Sequence, residues 1–257
     1  MPQAKRPVLI SVVQYLDALE TGQVTIFDVI ETARRLGGDG VELRREVWPN
    51  QDAELAAARA RIDALGLQVT YATFSTLFND TAAGAEQLYR DIDTAAALGA
   101  PLFRVFQGPA PAADDAPGWA AGQAVIDYAN SKNVVIALEN YARTPGNTLA
   151  EIQRVLDRLP GPGLATNIDI GNYYNNNQDN FEAIAAIGHR AMYAHLKDID
   201  GNDLTYLGGG LLPMAELIAA LDNLPQNIIY CFEFRGGDDP ESRITKSLEF
   251  LNGRQPA

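Results

Sequence analysis

The sequence predicts an α/β fold, a single (β/α)8 barrel, and three observations carry that prediction. Short β-branched or aromatic runs alternate with longer amphipathic ones along the whole chain. Eight such strand-then-helix units fill 257 residues, about 32 residues each, the usual size of a βα repeat. No Gly/Ser linker or shift in composition divides residues 1–257 into separate domains. A doubly wound open sheet is the alternative. It lacks its signature, since no G-x-G-x-x-G follows the first run and no G-x-x-x-x-G-K-[ST] occurs.

The units follow in order. The strand at Val8–Val13 leads to the helix at Ile26–Leu36, which ends on Gly37-Gly38. Val41–Arg44 leads to Ala53–Leu65, closed by Gly66, and Gln68–Phe74 leads to Ala82–Leu98, closed by Gly99. Glycine after the last periodic residue is the common way to stop a helix. Leu102–Phe106 precedes the helix Trp119–Ser131. Val134–Glu139 precedes Leu149–Leu159, where Thr148 with Glu151 three residues on reads as a capping box. Leu164–Asp169 precedes Phe181–Ile187. Ala191–Leu196 precedes Met214–Leu221, and Ile228–Phe234 precedes Glu241–Leu251; Pro213 and Pro240 stand where these last two helices begin.

Composition excludes several classes of function. Hydrophobic residues make up 47% of the chain, enough for a large core and too many for wholesale disorder. The net charge is -13 and the pI about 4.5. Nucleic acid or an anionic membrane surface needs a basic face, so neither is an expected partner. No apolar stretch reaches the length of a membrane span. The single cysteine, Cys231, cannot close an intramolecular disulfide, and Met1 to Arg6 is too short and polar for a signal peptide. A cytoplasmic protein is expected; a homo-oligomer is left open.

Barrel function collects where strands end. Strand five ends in Glu139-Asn140, strand six in Asp169, strand seven in His195-Leu196-Lys197, and strand eight in Glu233-Phe234-Arg235. Side chains alternate along a strand, so Val135, Ala137 and Glu139 share a face, as do Ala165, Asn167 and Asp169. Ala191, Tyr193 and His195 form the third such series, and Ile229, Cys231 and Glu233 the fourth. Each series ends in a ligand-type side chain, and neighbouring strands lie only about 4.8 Å apart. Glu139, Asp169, His195 and Glu233 are therefore expected to converge on one divalent ion. Three oxygens and one imidazole form a fairly hard site suited to Mn²⁺, Mg²⁺ or Co²⁺. His189, before strand seven, falls at the opposite end of the barrel and is expected to be structural.

Around that site the expected substrate contacts are Glu42 at the end of strand two, Asn172, Lys197 and Arg235. Lys197 shares parity with His195, and Arg235 with Glu233. Asn172 opens a polar loop, residues 173–177, that could cover the site. Trp48-Pro49, Phe74 and Phe106 could wall the pocket, and Cys231 reads as a barrel-core filler.

These residues sit in Gly40-Val41-Glu42-Leu43, Leu138-Glu139-Asn140, Ile168-Asp169-Ile170-Gly171-Asn172, His195-Leu196-Lys197-Asp198, Leu207-Gly208-Gly209-Gly210 and Phe232-Glu233-Phe234. Over essentially its whole length the chain thereby resembles the sugar phosphate isomerase/epimerase family of the xylose isomerase-like TIM-barrel superfamily. The resemblance implies that Glu139, Asp169, His195 and Glu233 bind one divalent cation, with Glu139 and Glu233 also the acid/base pair of an isomerase or epimerase. It equally admits a lyase, such as an inosose- or dehydroshikimate-type dehydratase, because lyases share the tetrad. One departure stands out. Many of the epimerases carry a histidine where this chain has Asn172, which admits relatives acting on polyols, keto-cyclitols or hydroxy-ketones. The expected partner is a small keto-sugar or a related polyol or cyclitol. Apurinic endonucleases share the barrel but need a histidine-rich three-zinc cluster, which two histidines cannot supply. A non-catalytic sugar-binding protein is the remaining reading, favoured only if the metal site cannot be filled.

Overall fold

A computed structural model describes residues 6–201 and 203–253. Its centre is a closed parallel barrel. The first seven strands are β1 (Val8–Ser11), β2 (Gly40–Arg44), β3 (Gln68–Thr76), β4 (Leu102–Phe106), β5 (Val135–Glu139), β6 (Leu164–Asp169) and β7 (Ala191–Leu196). A short antiparallel ribbon, β8 (Asp198–Asp200) with β9 (Asp203–Thr205), follows, so the eighth barrel strand is β10 (Ile229–Phe232). The barrel closes by pairing β1 with both β2 and β10.

Helices run between the strands. They are α1 (Leu16–Glu20), α2 (Ile26–Leu36), α3 (Gln51–Leu65), α4 (Ala82–Leu98), α5 (Ala116–Ser131), α6 (Leu149–Arg158), α7 (Ile170–Asn175), α8 (Asn180–Ile187), α9 (Met214–Asp222) and α10 (Pro240–Gly253). The capping box at α6 is present: Thr148 Oγ1 accepts from Glu151 N at 3.3 Å, and Glu151 accepts from Thr148 N at 3.2 Å. A second box, Thr25 with Asp28, starts α2. Gly37 ends α2 at φ 90°, a left-handed conformation that costs a side-chain-bearing residue steric strain.

Three of the differences from the sequence expectation bear on the site. β1 stops at Ser11 rather than Val13, because Ser11 Oγ takes the amide of Val13 at 3.2 Å and starts a 3-10 turn over Val12–Tyr15. The residues after Asp169 are helical rather than a loop, since the Asp169 carboxylate caps α7 through Asn172 N at 2.8 Å. β10 ends at Phe232, two residues before the expected Phe234. Glu233 and Arg235 thus lie beyond the regular strand.

Most of the apolar core lies between barrel and helices, in a continuous cluster that includes Ile10, Val41, Phe103, Ile136 and Leu196. A second, smaller cluster fills the barrel interior with Leu9, Leu102, Tyr193 and Cys231, each at most 2% exposed. This apolar floor closes one end of the barrel and leaves the C-terminal strand ends to polar groups. Cys231 fills the floor, as its parity suggested. Among the described residues no helix is long and apolar enough to cross a membrane.

Candidate metal centre

Parallel pairing places the site. β6 and β7 pair with Asp169 opposite His195, and β7 and β10 pair with His195 opposite Cys231, two residues before Glu233. Asn167 ties the neighbours together: its Nδ2 donates to Glu139 Oε2 at 2.8 Å, and its Oδ1 accepts from His195 N at 3.0 Å. Glu139, Asp169, His195 and Glu233 consequently meet. His195 Nδ1 lies 3.0 Å from Glu139 Oε2, 3.4 Å from Asp169 Oδ2 and 3.7 Å from Glu233 Oε2. All four residues are buried.

Three permanent cations hold these acids in place. Arg104 approaches Glu139 Oε2 with Nε at 3.1 Å and donates Nη1 to Thr73 O at 2.8 Å. Arg44 donates Nη2 to Glu233 Oε1 and Nε to Glu42 Oε1, the latter at 3.1 Å. Lys197 Nζ bridges Glu233 Oε2 and Asp169 Oδ2, the latter at 2.8 Å. Burial pushes the Glu139 carboxyl up, but Arg104 and His195 outweigh it and hold it below the usual carboxylate range. For Glu233, Lys197 and Arg44 likewise outweigh burial and keep the group ionised. Burial disfavours the His195 imidazolium, yet Glu42, Glu233 and Glu139 together favour it more. A buried charge is tolerated only when paired, and each of these is.

The donor set fits a divalent cation. His195 Nδ1 is buried without a hydrogen-bond partner, although three carboxylates surround it. Ligand atoms of Glu139, Asp169 and His195 lie within 4.8 Å of one another. Oxygen and nitrogen donors at roughly 2.0–2.2 Å from an ion are spaced on that scale. A second trio, Glu42, His195 and Cys231, is equally compact but fits poorly. There His195 Nε2 is engaged by Glu42 Oε2 at 2.8 Å, and burial pushes the Cys231 thiol well up, so it stays protonated.

Of the expected substrate contacts, Lys197 and Asn172 join the cluster; Asn172 Nδ2 donates to Glu139 Oε1 at 3.0 Å. Glu42 also joins it, but beneath His195 and fully buried. Arg235 does not. Its side chain is 60% exposed and pairs with Asp17 at 3.1 Å, because strand parity no longer applies past Phe232. Trp48 and Pro49 line a different cavity, of about 540 Å³, with Arg45, Gln87 and Asp91. Phe74 and Phe106 stack with Tyr141, at 5.8 Å between Phe74 and Phe106 and 4.8 Å between Phe106 and Tyr141. The Arg104 guanidinium lies over Phe106 at 4.8 Å. Phe74, 54% exposed, is the open end of this shelf.

Sequence reasoning missed Arg104, Asn167 and the task of Asp198. Arg104 alternates with Leu102, which lies in the barrel interior, and that parity was the available signal. Asp198 accepts four amides: Ile199 at 2.8 Å and Leu212 at 3.0 Å on one oxygen, Gly208 at 3.1 Å and Gly210 at 3.0 Å on the other. The aspartate of His195-Leu196-Lys197-Asp198 thus holds the Leu207-Gly208-Gly209-Gly210 loop, where a side chain on Gly210 would meet Ile199 O at 2.3 Å.

Residues 30–254 match the family model for the xylose isomerase-like TIM barrel. The chain belongs to that family. Solved structures agree on the fold. D-allulose 3-epimerase from Methylomonas sp., in complex with D-allulose, superposes with a TM-score of 0.77 at 21% identity, covering 99% of this chain and 98% of the other. The probable 3-DHS dehydratase AsbF from Bacillus anthracis, involved in petrobactin synthesis, gives 0.78 at 15% identity over 98% and 100%. An L-ribulose 3-epimerase gives 0.75 at 18% identity over 96% and 93%. Among curated protein sequences no match is found.

Proposed function

We propose that this family member is a divalent-metal-dependent isomerase or epimerase that moves a proton next to the carbonyl of a keto-sugar or a related polyol or cyclitol. One observation carries the reading: the carboxylates of Glu139, Asp169 and Glu233 surround an unpartnered, buried imidazole nitrogen at the catalytic end of the barrel. Glu139, Asp169, His195 and Glu233 would hold one ion. When bound, a divalent ion offsets the negative charge that builds on the substrate's oxygens as a neighbouring carbon loses its proton, a contribution of several kcal/mol.

The chain's own residues account for the proton movement. Glu139 and Glu233 are kept ionised by separate cations, Arg104 for the first and Lys197 with Arg44 for the second. Each can accept a proton, and they come from different sides of His195, on β5 and just past β10. One removes the proton from one face of the carbon, and the other returns a proton to the opposite face or to the adjacent carbon. Asn172 orients Glu139 through Oε1. Lys197, between Asp169 and Glu233, can donate to a substrate oxygen. The epimerases among the similar structures support this reading; the dehydratase among them marks the competing outcome, loss of a β-hydroxyl.

The test is incubation of Mn²⁺-loaded protein with a panel of ketoses and keto-cyclitols in deuterium oxide. Deuterium entering a recovered or isomerised substrate, with no loss of water, is the expected result. An enone product moves the protein to the lyases, and no exchange with any substrate removes the catalytic reading.

A further inference from the structure

We infer that Glu42 is a positioning residue, which fixes the His195 ring with a proton on Nε2 and with Nδ1 turned toward the three carboxylates to ligate the ion. The inference rests on the proposed metal site and concerns how that site is prepared, and it replaces the substrate contact expected of Glu42 from sequence.

An ionised carboxylate offers about four acceptor positions and no donor, and all four of Glu42 are used. Oε1 accepts from Ser11 Oγ at 2.8 Å and Arg44 Nε at 3.1 Å. Oε2 accepts from Tyr193 OH at 2.9 Å and faces His195 Nε2 at 2.8 Å. Glu42 is 0% exposed. No acceptor capacity and no surface remain for a substrate hydroxyl.

The donor directions then follow by elimination. Tyr193 spends its one proton on Glu42, so Thr70 Oγ1, 2.8 Å from the same hydroxyl, must be the donor in that pair. Glu42 can only accept, so the proton between it and His195 belongs to Nε2. With Nε2 committed to Glu42, Nδ1 is the nitrogen left to ligate an ion, and it is the atom that lacks a partner and faces Glu139, Asp169 and Glu233. A ligating histidine needs its other nitrogen held in this way to fix ring orientation and tautomer.

The device is built into the barrel. Ser11, Glu42 and Thr70 are successive register partners on β1, β2 and β3. Tyr193 and His195 share a face of β7, with the Tyr193 ring edge-on to the imidazole at 4.9 Å. Leu9, Leu102 and Cys231 pack below. The imidazole is therefore locked from beneath by groups on four strands.

The experiment compares wild type, Glu42→Gln and Tyr193→Phe by Mn²⁺ titration and by NMR of ¹⁵N-histidine-labelled protein loaded with diamagnetic Mg²⁺. The chain has only two histidines, so His195 is directly observable. In Glu42→Gln the amide NH₂ must meet either the Arg44 and Ser11 donors or the His195 ring. Mn²⁺ affinity should fall about 10- to 100-fold, the usual cost of losing an outer-sphere partner, and the Nε2–H tautomer should cease to dominate. Tyr193→Phe removes one donor to Oε2 and should shift both readouts the same way by a smaller factor. A folded Glu42→Gln with affinity within twofold of wild type and an unchanged tautomer overturns the inference. So does a raised KM with unchanged metal affinity, which would return Glu42 to the substrate. If Glu42→Gln does not fold, an unchanged tautomer and affinity in Tyr193→Phe overturn it instead. Failure of the wild type to bind Mn²⁺ sinks the proposed function as well, whereas normal wild-type binding with an indifferent Glu42→Gln sinks this inference alone.

Discussion

The two halves of the barrel bring opposite things to its mouth. From β5, β6, β7 and the residue after β10 come Glu139, Asp169, His195 and Glu233, side chains able to grip a cation and carry a proton. From β1 to β4 come Ser11, Arg44, Thr70 and Arg104, which supply donors, plus Glu42, whose acceptors are all filled. Under the proposed function the later half is the working half. It is tolerable in a closed barrel because Arg44 and Arg104 of the earlier half, together with Lys197 after β7, neutralise it, since an unpaired buried carboxylate costs several kcal/mol or gives up its charge. The lesson is that an active site at strand ends is a property of the whole ring of strands.

The sharpest test of this division lies in the working half. Glu139→Gln and Glu233→Gln each keep an oxygen for the ion but cannot accept a proton. Turnover at matched metal occupancy should fall about 10²- to 10⁴-fold in each, the contribution of one general base. Asp169→Asn should instead lose activity in step with bound metal and recover partly at high metal concentration. Wild-type turnover in both loaded glutamine variants would make the glutamates ligands only.

The matching change in the supporting half should read as stability. Arg104→Met keeps length and removes the charge beside Glu139, leaving a fully buried carboxylate without its cation. A loss of about 3–5 kcal/mol is expected from breaking one side of a buried pair, measured by urea denaturation. In the double variant Arg104→Met with Glu139→Gln, much of that loss should return, because no uncompensated charge remains. An additive double variant would show that Arg104 acts through packing on Phe106 instead.

How much of this was legible follows the same line. The eight strand–helix units announced themselves through period, a capping box and terminal glycines, and the barrel they imply is the one observed. The β8–β9 ribbon was not legible, since three-residue strands carry no periodic signal. The working half could be read because acids and a histidine end runs of inward-facing small or apolar residues. The supporting half could not. Arg104 shares a face with the interior Leu102, but only its partners on β3 and β5, Thr73 and Glu139, explain what it does there. Glu42 was noticed as a strand-end acid, but its depth depends on β1, β3 and β7 and is invisible in β2 alone.

A smaller effect tests whether the first half also reaches the substrate. Phe74→Ala removes the exposed end of the Phe74–Phe106–Tyr141 shelf. If a substrate's C–H face rests there, KM should rise several-fold with kcat nearly unchanged, on the order of the 0.5–1.5 kcal/mol that ring contacts add. Unchanged kinetics would confine the first half to support.

The smallest effect expected is at Arg235, and it sets the edge of the site. Arg235 and Lys197 each stand two residues after a proposed ligand, so parity alone treats them alike. Lys197 is the first residue past β7 and is buried between Asp169 and Glu233. Arg235 follows the end of β10, where the chain turns outward, and its partner Asp17 is 77% exposed. A solvated pair of this kind contributes about 0–1 kcal/mol and weakens with salt. Arg235→Ala should therefore keep turnover and metal affinity within about twofold of wild type and shift the urea midpoint only slightly, and less still at high salt. Lys197→Met, by contrast, should reduce turnover and leave Asp169 without its lysine, while Glu233 keeps Arg44. If Arg235→Ala instead raises KM while Tm stays fixed, the segment after Glu233 folds inward when substrate binds, and the boundary of the working half must be moved past Phe234.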